Sequence, residues 1–188
     1  AIFVYGLDAA KKVKIGDTVQ VTGTVDEFYS LTQIKAANAD AVTILPAATA
    51  PTAAKVAFPA TDAQRESLEG MLIAPQGSYT VSNTYSTNQY AEVGLASGTK
   101  PLIQPTEIAR PGTDAYKAAV ADNAARAVTL DDGASINFLG SADNKAIKLP
   151  YLTDATVSVG AAVTFAKPVI LDYRNSAWKF QPTAPLVA

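Results

Sequence analysis

Hydrophobic and polar positions alternate most regularly in two stretches: Val13–Gln33 (VKIGDTVQVTGTVDEFYSLTQ) and Val157–Trp178 (VSVGAAVTFAKPVILDYRNSAW). In the first, Val19, Val21 and Val25 are separated by even steps, with Thr18, Gln20, Thr22 and Thr24 between them. Period-two alternation puts one set of side chains on one face of a sheet, so both stretches predict half-buried strands. They align at an offset of 144 (160 − 16), which matches Gly16 with Gly160, Val13 with Val157, Ile15 with Val159 and Val19 with Val163. The same offset matches Val21 with Phe165, Val25 with Val169 and Tyr29 with Tyr173. Each copy reads as an apolar run, a glycine turn and a longer strand ending in aromatics, which predicts two related β-units.

The remaining segments fit around these two. Ala1–Tyr5 predicts a short strand, Leu7–Lys12 a loop, Phe28–Ile34 a continued or restarted strand and Ala41–Leu45 another strand. Gly23 inside the first long strand predicts a bulge or bend, as small closed sheets require. Pro46–Pro59, with three prolines among alanines and threonines, reads as an extended linker. Thr61–Gly70 predicts a short helix, with Thr61 and Gln64 at capping-box spacing and Gly70 as the stop. Met71–Ala74 starts a buried strand, and Tyr79–Ala96 reads as a polar, tyrosine-rich hairpin. Lys100–Pro111 reads as an irregular loop, and Asp114–Arg126 as either a helix capped by Thr113 or Asp114 or an irregular insertion. Ala127–Leu130, Asp131-Asp132-Gly133 and Ala134–Leu139 predict a hairpin, because Asp-Gly suits the positive φ angles of a tight turn. Tyr151–Ala155 reads as loop or short strand.

Many short strands with glycine turns and few helices predict a mainly β protein. The expected architecture is two OB-like Greek-key β-barrel units, the first incomplete, with short helices and a proline-rich insertion. The expected division is a partial unit over residues 1–45, a linker over 46–60, and a second unit over 61–188 with an insertion near 97–126. A barrel beginning at Ala1 lacks its first two strands and leaves unpaired edges. Those edges invite cover from the second unit or from a neighbouring chain.

Composition narrows the chemistry. The 188 residues contain no cysteine, which excludes disulfides and thiolate metal sites, and no histidine, which removes every Ser-His-Asp or Cys-His arrangement. The net charge of −2 argues against a binder that coats nucleic acid with its whole surface, while leaving room for a local basic patch. No apolar run approaches the roughly 18 residues of a membrane helix. The opening AIFVYG lacks the features of a signal peptide and reads as mid-strand, as expected of a chain cut from a longer precursor.

The run IFVYG, followed by VKIGDTVQVTGTVDEFYSLTQI, resembles the OB-fold region of bacterial extracellular endonucleases of the ExeM/NucH type. LEGMLI, STNQYAEVGLASG, PLIQPTEIARPG and NAARAVTLDDG resemble the region that follows it in those proteins, so the likeness spans nearly the whole chain. The resemblance implies a secreted, extracellular protein. It also implies a C-terminal nuclease domain in the same precursor that works with a divalent metal and histidines. Without histidine, this chain is expected to be a non-catalytic module that holds nucleic acid or positions the catalytic domain. No catalytic residue, metal ligand or cofactor is assigned to it. The competing expectation is an extracellular assembly protein that polymerises by β-strand complementation.

An OB barrel that takes DNA or RNA uses aromatics for base stacking and lysine or arginine for phosphates. The candidates are Lys11, Lys12, Lys14 and Tyr29 in the first unit, with Tyr5 and Phe28 nearby. In the second they are Tyr173, Arg174, Trp178 and Lys179. Phe28, Tyr173 and Trp178 suit core packing equally well, and the lysines suit a solvated loop. Tyr79, Tyr85 and Tyr90 with Asn83, Asn88 and Gln89 offer a polar–aromatic face for sugar or nucleic acid, or cross-strand packing. Asp131 and Asp132 read as turn formers beside Gly133 rather than as metal ligands. Asp17, Asp26 and Glu27 lack the spaced loop of a calcium site. Arg110 and Arg126 suit phosphate binding or salt bridges.

Overall fold

A computed structural model describes residues 1–134, 136–149 and 156–183. Both copies of the alternating stretch make the turn that their glycine allows. Gly16 has φ +100° and Gly160 φ +91°, with open space where a side chain would sit, so backbone conformation rather than crowding selects glycine there. The turns close identically: Asp17 N–H donates to Lys14 C=O, and Ala161 N–H to Ser158 C=O, both at 3.1 Å.

In chain order the first part contains β1 (Phe3–Tyr5), α1 (Leu7–Lys12), β2 (Thr18–Val21), β3 (Thr24–Phe28), β4 (Leu31–Lys35), a 3-10 turn (Ala39–Ala41) and β5 (Val42–Leu45). Next come β6 (Ala54–Ala57), α2 (Asp62–Glu66), β7 (Leu72–Gln76), β8 (Tyr79–Asn83), α3 (Thr87–Tyr90) and β9 (Val93–Ser97). The remainder is α4 (Pro105–Ile108), α5 (Asp114–Arg126), β10 (Ala127–Leu130), α6 (Ala142–Lys145), β11 (Ala162–Val163), β12 (Val169–Arg174) and β13 (Ala177–Pro182).

The protein is mainly β. Among the described residues, an eight-stranded sheet in the order β11-β8-β9-β10-β13-β12-β7-β6 curls into a half-barrel. β7 and β8 act as one bent first strand broken at Gly77, whose φ is +88°. β9 runs antiparallel to β8 and to β10, β10 runs parallel to β13, and β13 runs antiparallel to β12, which returns to β7. This is the strand order of an OB-type Greek key, with β11 and β12 as the bent fourth strand.

The first unit repeats the last three of those strands. β1 runs parallel to β4 as β10 does to β13, and β3 forms an antiparallel hairpin with β4 as β12 does with β13. The hairpins align at an offset of 146, not 144: Phe28↔Leu31 flanks Tyr29-Ser30, and Arg174↔Ala177 flanks Asn175-Ser176 (174 − 28 = 146). All four turn residues have φ between 50° and 63°, the left-handed pair that a two-residue hairpin needs. The sequence match of Val25 with Val169 and of Tyr29 with Tyr173 is therefore corrected to Val25 with Leu171 and Tyr29 with Asn175. The glycine turns keep the offset of 144, so the second copy carries two additional residues between turn and hairpin.

Several expectations change. Leu7–Lys12 is a helix rather than a loop, because Ala9 docks against Ala36 and Val42 in a small core of the first unit. Ala54–Ala57, expected in the linker, pairs parallel with β7 at the edge of the large sheet. β10 does not hairpin back at Asp131-Asp132-Gly133. Asp131 N–H donates to Phe180 C=O and carries the chain past β13, while described residues after Gly133 form no strand before β11. Asp131 and Asp132 do form turns, accepting from Gly133 N–H and Ala134 N–H. Asp114–Arg126 is helical, and the Thr113 side chain accepts from Tyr116 N–H. Thr61 likewise caps α2 by accepting from Gln64 N–H. Tyr151–Ala155 lie outside the described residues.

The main core sits inside the curled sheet. Phe180 has Phe58, Tyr79 and Phe165 arranged edge-on around it at 5.7, 5.6 and 5.3 Å. The two units touch through Arg174, whose guanidinium lies 4.5 Å from the Phe3 ring centroid, and through Glu69, which accepts from Thr32 N–H at 3.2 Å. The other oxygen of Glu69 is buried without a hydrogen-bond partner. Burial raises the Glu69 pKa, and the neighbouring carboxylates Glu66, Asp172 and Glu27 raise it further, against the Thr32 hydrogen bond. A carboxyl with a raised folded pKa takes up its proton in the folded state first, so its contribution to stability grows as pH falls through that pKa. Glu69→Gln is therefore expected to stabilise the protein at neutral pH. The difference from wild type should shrink toward zero as pH falls below the ordinary glutamate range. Urea unfolding of both proteins between pH 4 and 8 measures this difference.

Candidate functional site

A groove of about 280 Å³ opens beside β10 and the β12–β13 turn, where Tyr173, Ser176, Ala177 and Trp178 face Asp62 and Arg65 of α2 and the C-terminal end of α5. Its frame is a single arginine. Arg65 is buried and donates to Pro59 C=O (2.8 Å), Ala60 C=O (3.2 Å), Ala124 C=O (3.1 Å) and Ala125 C=O (2.8 Å). The Ala124 and Ala125 carbonyls belong to the last turn of α5, whose partial negative charge suits a cation. Arg65 also pairs with Asp62 at 2.8 Å and lies over the Phe58 ring at 4.7 Å. Asp62, with an otherwise exposed side chain, accepts from the Trp178 indole N–H at 3.0 Å. Trp178 in turn packs on Tyr173, ring centroids 4.9 Å apart. The groove therefore presents the half-buried ring of Tyr173 backed by the buried Trp178, together with Thr129, Ser176 and a carboxylate whose charge is balanced by a buried guanidinium. Such a surface can stack a flat ring and hydrogen-bond its edge.

Of the eight predicted contact residues, only Tyr173 and Trp178 line this groove, and Trp178 is also a buried member of the main core, as its packing alternative anticipates. Lys179 is buried, with its ammonium paired to Asp131 at 2.6 Å and to Glu92. Burial lowers the Lys179 pKa, but hydrogen bonds to Asp131 and Glu92 outweigh it and leave the pKa raised, so the group stays charged and committed to structure. Arg174 reaches Asp172 at 2.6 Å and covers Phe3. Lys12 donates to Ala39 C=O (3.0 Å) and Val42 C=O (2.6 Å). Lys11 pairs with Asp8 at 3.4 Å, Lys14 is exposed, and Tyr29 is exposed at the tip of the first hairpin with its ring edge-on to Phe28 at 4.7 Å. These first-unit residues form no common site with the groove.

The tyrosine-rich stretch divides as well. Tyr79 is buried and its pKa is pushed up to about 12 by burial, whereas Tyr85 lies beyond the end of β8 and is exposed. Gln89 donates to the Tyr90 hydroxyl at 3.1 Å. Arg126 pairs with Asp122 at 2.8 Å and donates to Lys100 C=O, which is the salt-bridge reading. Asp26 pairs with Lys35, Glu27 accepts from Thr32, and Asp17 accepts from Lys14 N–H, so the acidic residues of the first unit face separate partners. Among the described residues, no group of three or more His, Cys, Asp or Glu is placed to hold a metal ion. Among the same residues, no helix is long and apolar enough to cross a membrane.

Asp62, Arg65, Thr129 and Ser176 were not legible as site residues. Asp62 and Arg65 sit three apart in a capped helix, which signals a local pair, but nothing in the sequence announces an indole 116 positions away. No family model matches the chain, and no curated protein or solved structure matches it significantly.

The buried charge triad gives a direct test of the frame. Lys179→Met leaves Asp131 and Glu92 without their shared cation and is expected to cost about 3–5 kcal/mol of stability. Urea denaturation followed by circular dichroism measures it; a loss well below 1 kcal/mol would show the triad to be dispensable.

Proposed function

We propose that this chain is a non-catalytic module that holds single-stranded nucleic acid for the metal-dependent nuclease domain of a secreted bacterial protein. The observation that carries the reading is the position of the groove. It lies over the third strand of an OB-type sheet and the turn between the fourth and fifth strands, the face through which such folds take oligonucleotides. The half-buried ring of Tyr173, held from behind by the buried Trp178, supplies stacking surface, and Asp62, Thr129 and Ser176 supply acceptors and donors for base edges. The resemblance to ExeM/NucH-type endonucleases supports the choice of ligand class and the place of the module beside a catalytic domain.

The charge of the groove sets the mode of binding. Arg65 is paired with Asp62, Arg174 with Asp172, and Lys179 with Asp131 and Glu92. Few cations remain for phosphates, so bases rather than backbone provide the affinity. For a single strand the salt slope is about −0.7 per neutralised phosphate, and one or two such contacts give a slope of roughly −1.

Trp178 is the only tryptophan in the chain, so its emission reports on the groove directly. Titration with 12-nucleotide oligothymidine and oligouridine at low salt should change Trp178 emission saturably, with weak affinity and a shallow salt slope. Tyr173→Ala should weaken binding by about 5- to 150-fold, the loss expected for one stacked base. An unchanged emission at millimolar oligonucleotide would sink the reading. A steep salt slope would move the contact to the exposed lysines of the first unit.

A further inference from the structure

The groove makes no use of Lys179, Asp131 and Glu92, which meet inside the second unit. The backbone brings them together. Thr129 pairs with Lys179 across the parallel ladder, and a two-residue step along the chain returns Asp131 to the same face. One step past the Leu130↔Val93 pair, Glu92 comes beside Asp131. Lys179 Nζ donates to Asp131 Oδ2 at 2.6 Å and to Glu92 Oε1. The other Asp131 oxygen, Oδ1, accepts from Gly133 N–H at 3.0 Å. The side chains of Lys179 and Asp131 are 3% and 8% exposed, and that of Glu92 is 24% exposed. By contrast, Lys11, Lys35 and Lys117 meet their carboxylates with side chains 67%, 49% and 68% exposed. The buried site thus holds an amine, a carboxyl group hydrogen-bonded on its far oxygen, and a second carboxylate on the amine. These are the parts that amide formation needs.

We propose that Lys179 and Asp131 join through a spontaneous isopeptide bond, Nζ to Cγ, with Glu92 as the proton carrier. The ion triad is the state in which the fold assembles, and the bond follows. One proton passes from the Lys179 ammonium to Asp131 Oδ2, which leaves a neutral amine beside a neutral acid. Burial favours this exchange, because desolvation penalises both charges. The Nζ lone pair then adds to Cγ, and the charge that develops on Oδ1 meets the Gly133 N–H. Glu92 takes a proton from the nitrogen and passes it to Oδ2. The Cγ–Oδ2 bond breaks, and water leaves on the side of the part-exposed Glu92. The ammonium has lost two protons and the carboxylate one oxygen, which together make the water, and Glu92 ends as it began. Contact between amine and acid replaces a chance encounter, an advantage equivalent to an effective concentration of about 10⁵ M or more. The product locks the two-rung ladder of β10 and β13 covalently, in a chain without cysteine. This inference is independent of the nucleic-acid reading of the groove.

The 188-residue protein, folded and held for days at neutral pH, is denatured and its intact mass measured. The expected value is the sequence mass less one water. Trypsin should then release a branched peptide that joins residues 127–145 to residues 175–188, with the chain uncut after Lys179. Fragmentation should place the branch between Lys179 and Asp131. Glu92→Gln keeps the amine and the acid but removes the proton carrier, and it should slow the loss of water by about 10²-fold or more in a variant with wild-type circular dichroism. A wild-type mass equal to the sequence mass overturns the proposal, and that measurement needs no variant to fold. A water lost within residues 127–145 alone also overturns it, because it marks a cyclic imide at Asp132-Gly133 instead. A branch from Lys179 to Glu92 overturns the choice of Asp131, and an unchanged rate in Glu92→Gln overturns the part given to Glu92.

Discussion

The second unit depends on a buried ammonium. The parallel pairing of β10 with β13 has two rungs, Thr129↔Lys179 and Leu130↔Phe180, and parallel ladders are slightly less stable per residue than antiparallel ones. Lys179 sits in that short ladder and ties β13 to Asp131 at the exit of β10 and to Glu92 at the entry of β9. One cation thus fixes three strands that the chain brings together from distant positions. Phe180, its neighbour, points to the opposite face and centres the aromatic core. The first unit solves the same register without a cation. Gln33 stands where Lys179 does, is equally buried, and donates its amide to Asp26 across the hairpin at 3.1 Å.

That use of charge shapes what the surface can do. Three basic residues of the second unit are the ones that hold the fold. Arg65 fastens α2 to α5, Lys179 fastens three strands, and Arg174 joins the two units. What remains in the groove is aromatic area and hydrogen-bonding capacity at near-zero net charge.

The fold was legible where local rules decide it. Period-two alternation located the strands of the duplicated stretch, Gly16 and Gly160 marked their turns, and Thr61 and Thr113 marked two helix starts. It was illegible where tertiary pairing overrides local preference. Asp131-Asp132-Gly133 has hairpin chemistry, but β10 already has neighbours on both edges, so the turn leads away instead of back. Leu7–Lys12 is too short to advertise a helix and depends on the docking of Ala9. The site was least legible, since Lys179 and Trp178 stand next to each other yet point to opposite faces of β13. Both are buried, one as a strut between strands and the other as a core residue behind the groove.

The two-residue difference between the copies sits where the fold tolerates it. The glycine turns keep one spacing and the hairpins another, and the two additional residues of the second copy fall between turn and hairpin. There, between β11 and β12, residues 164–168 form no strand, so no ladder counts them. The faces of β12 are set by its pairing with β13 and β7, which holds Leu171 in the core whatever the length of the join. That join is the place where added length leaves the interior as it is.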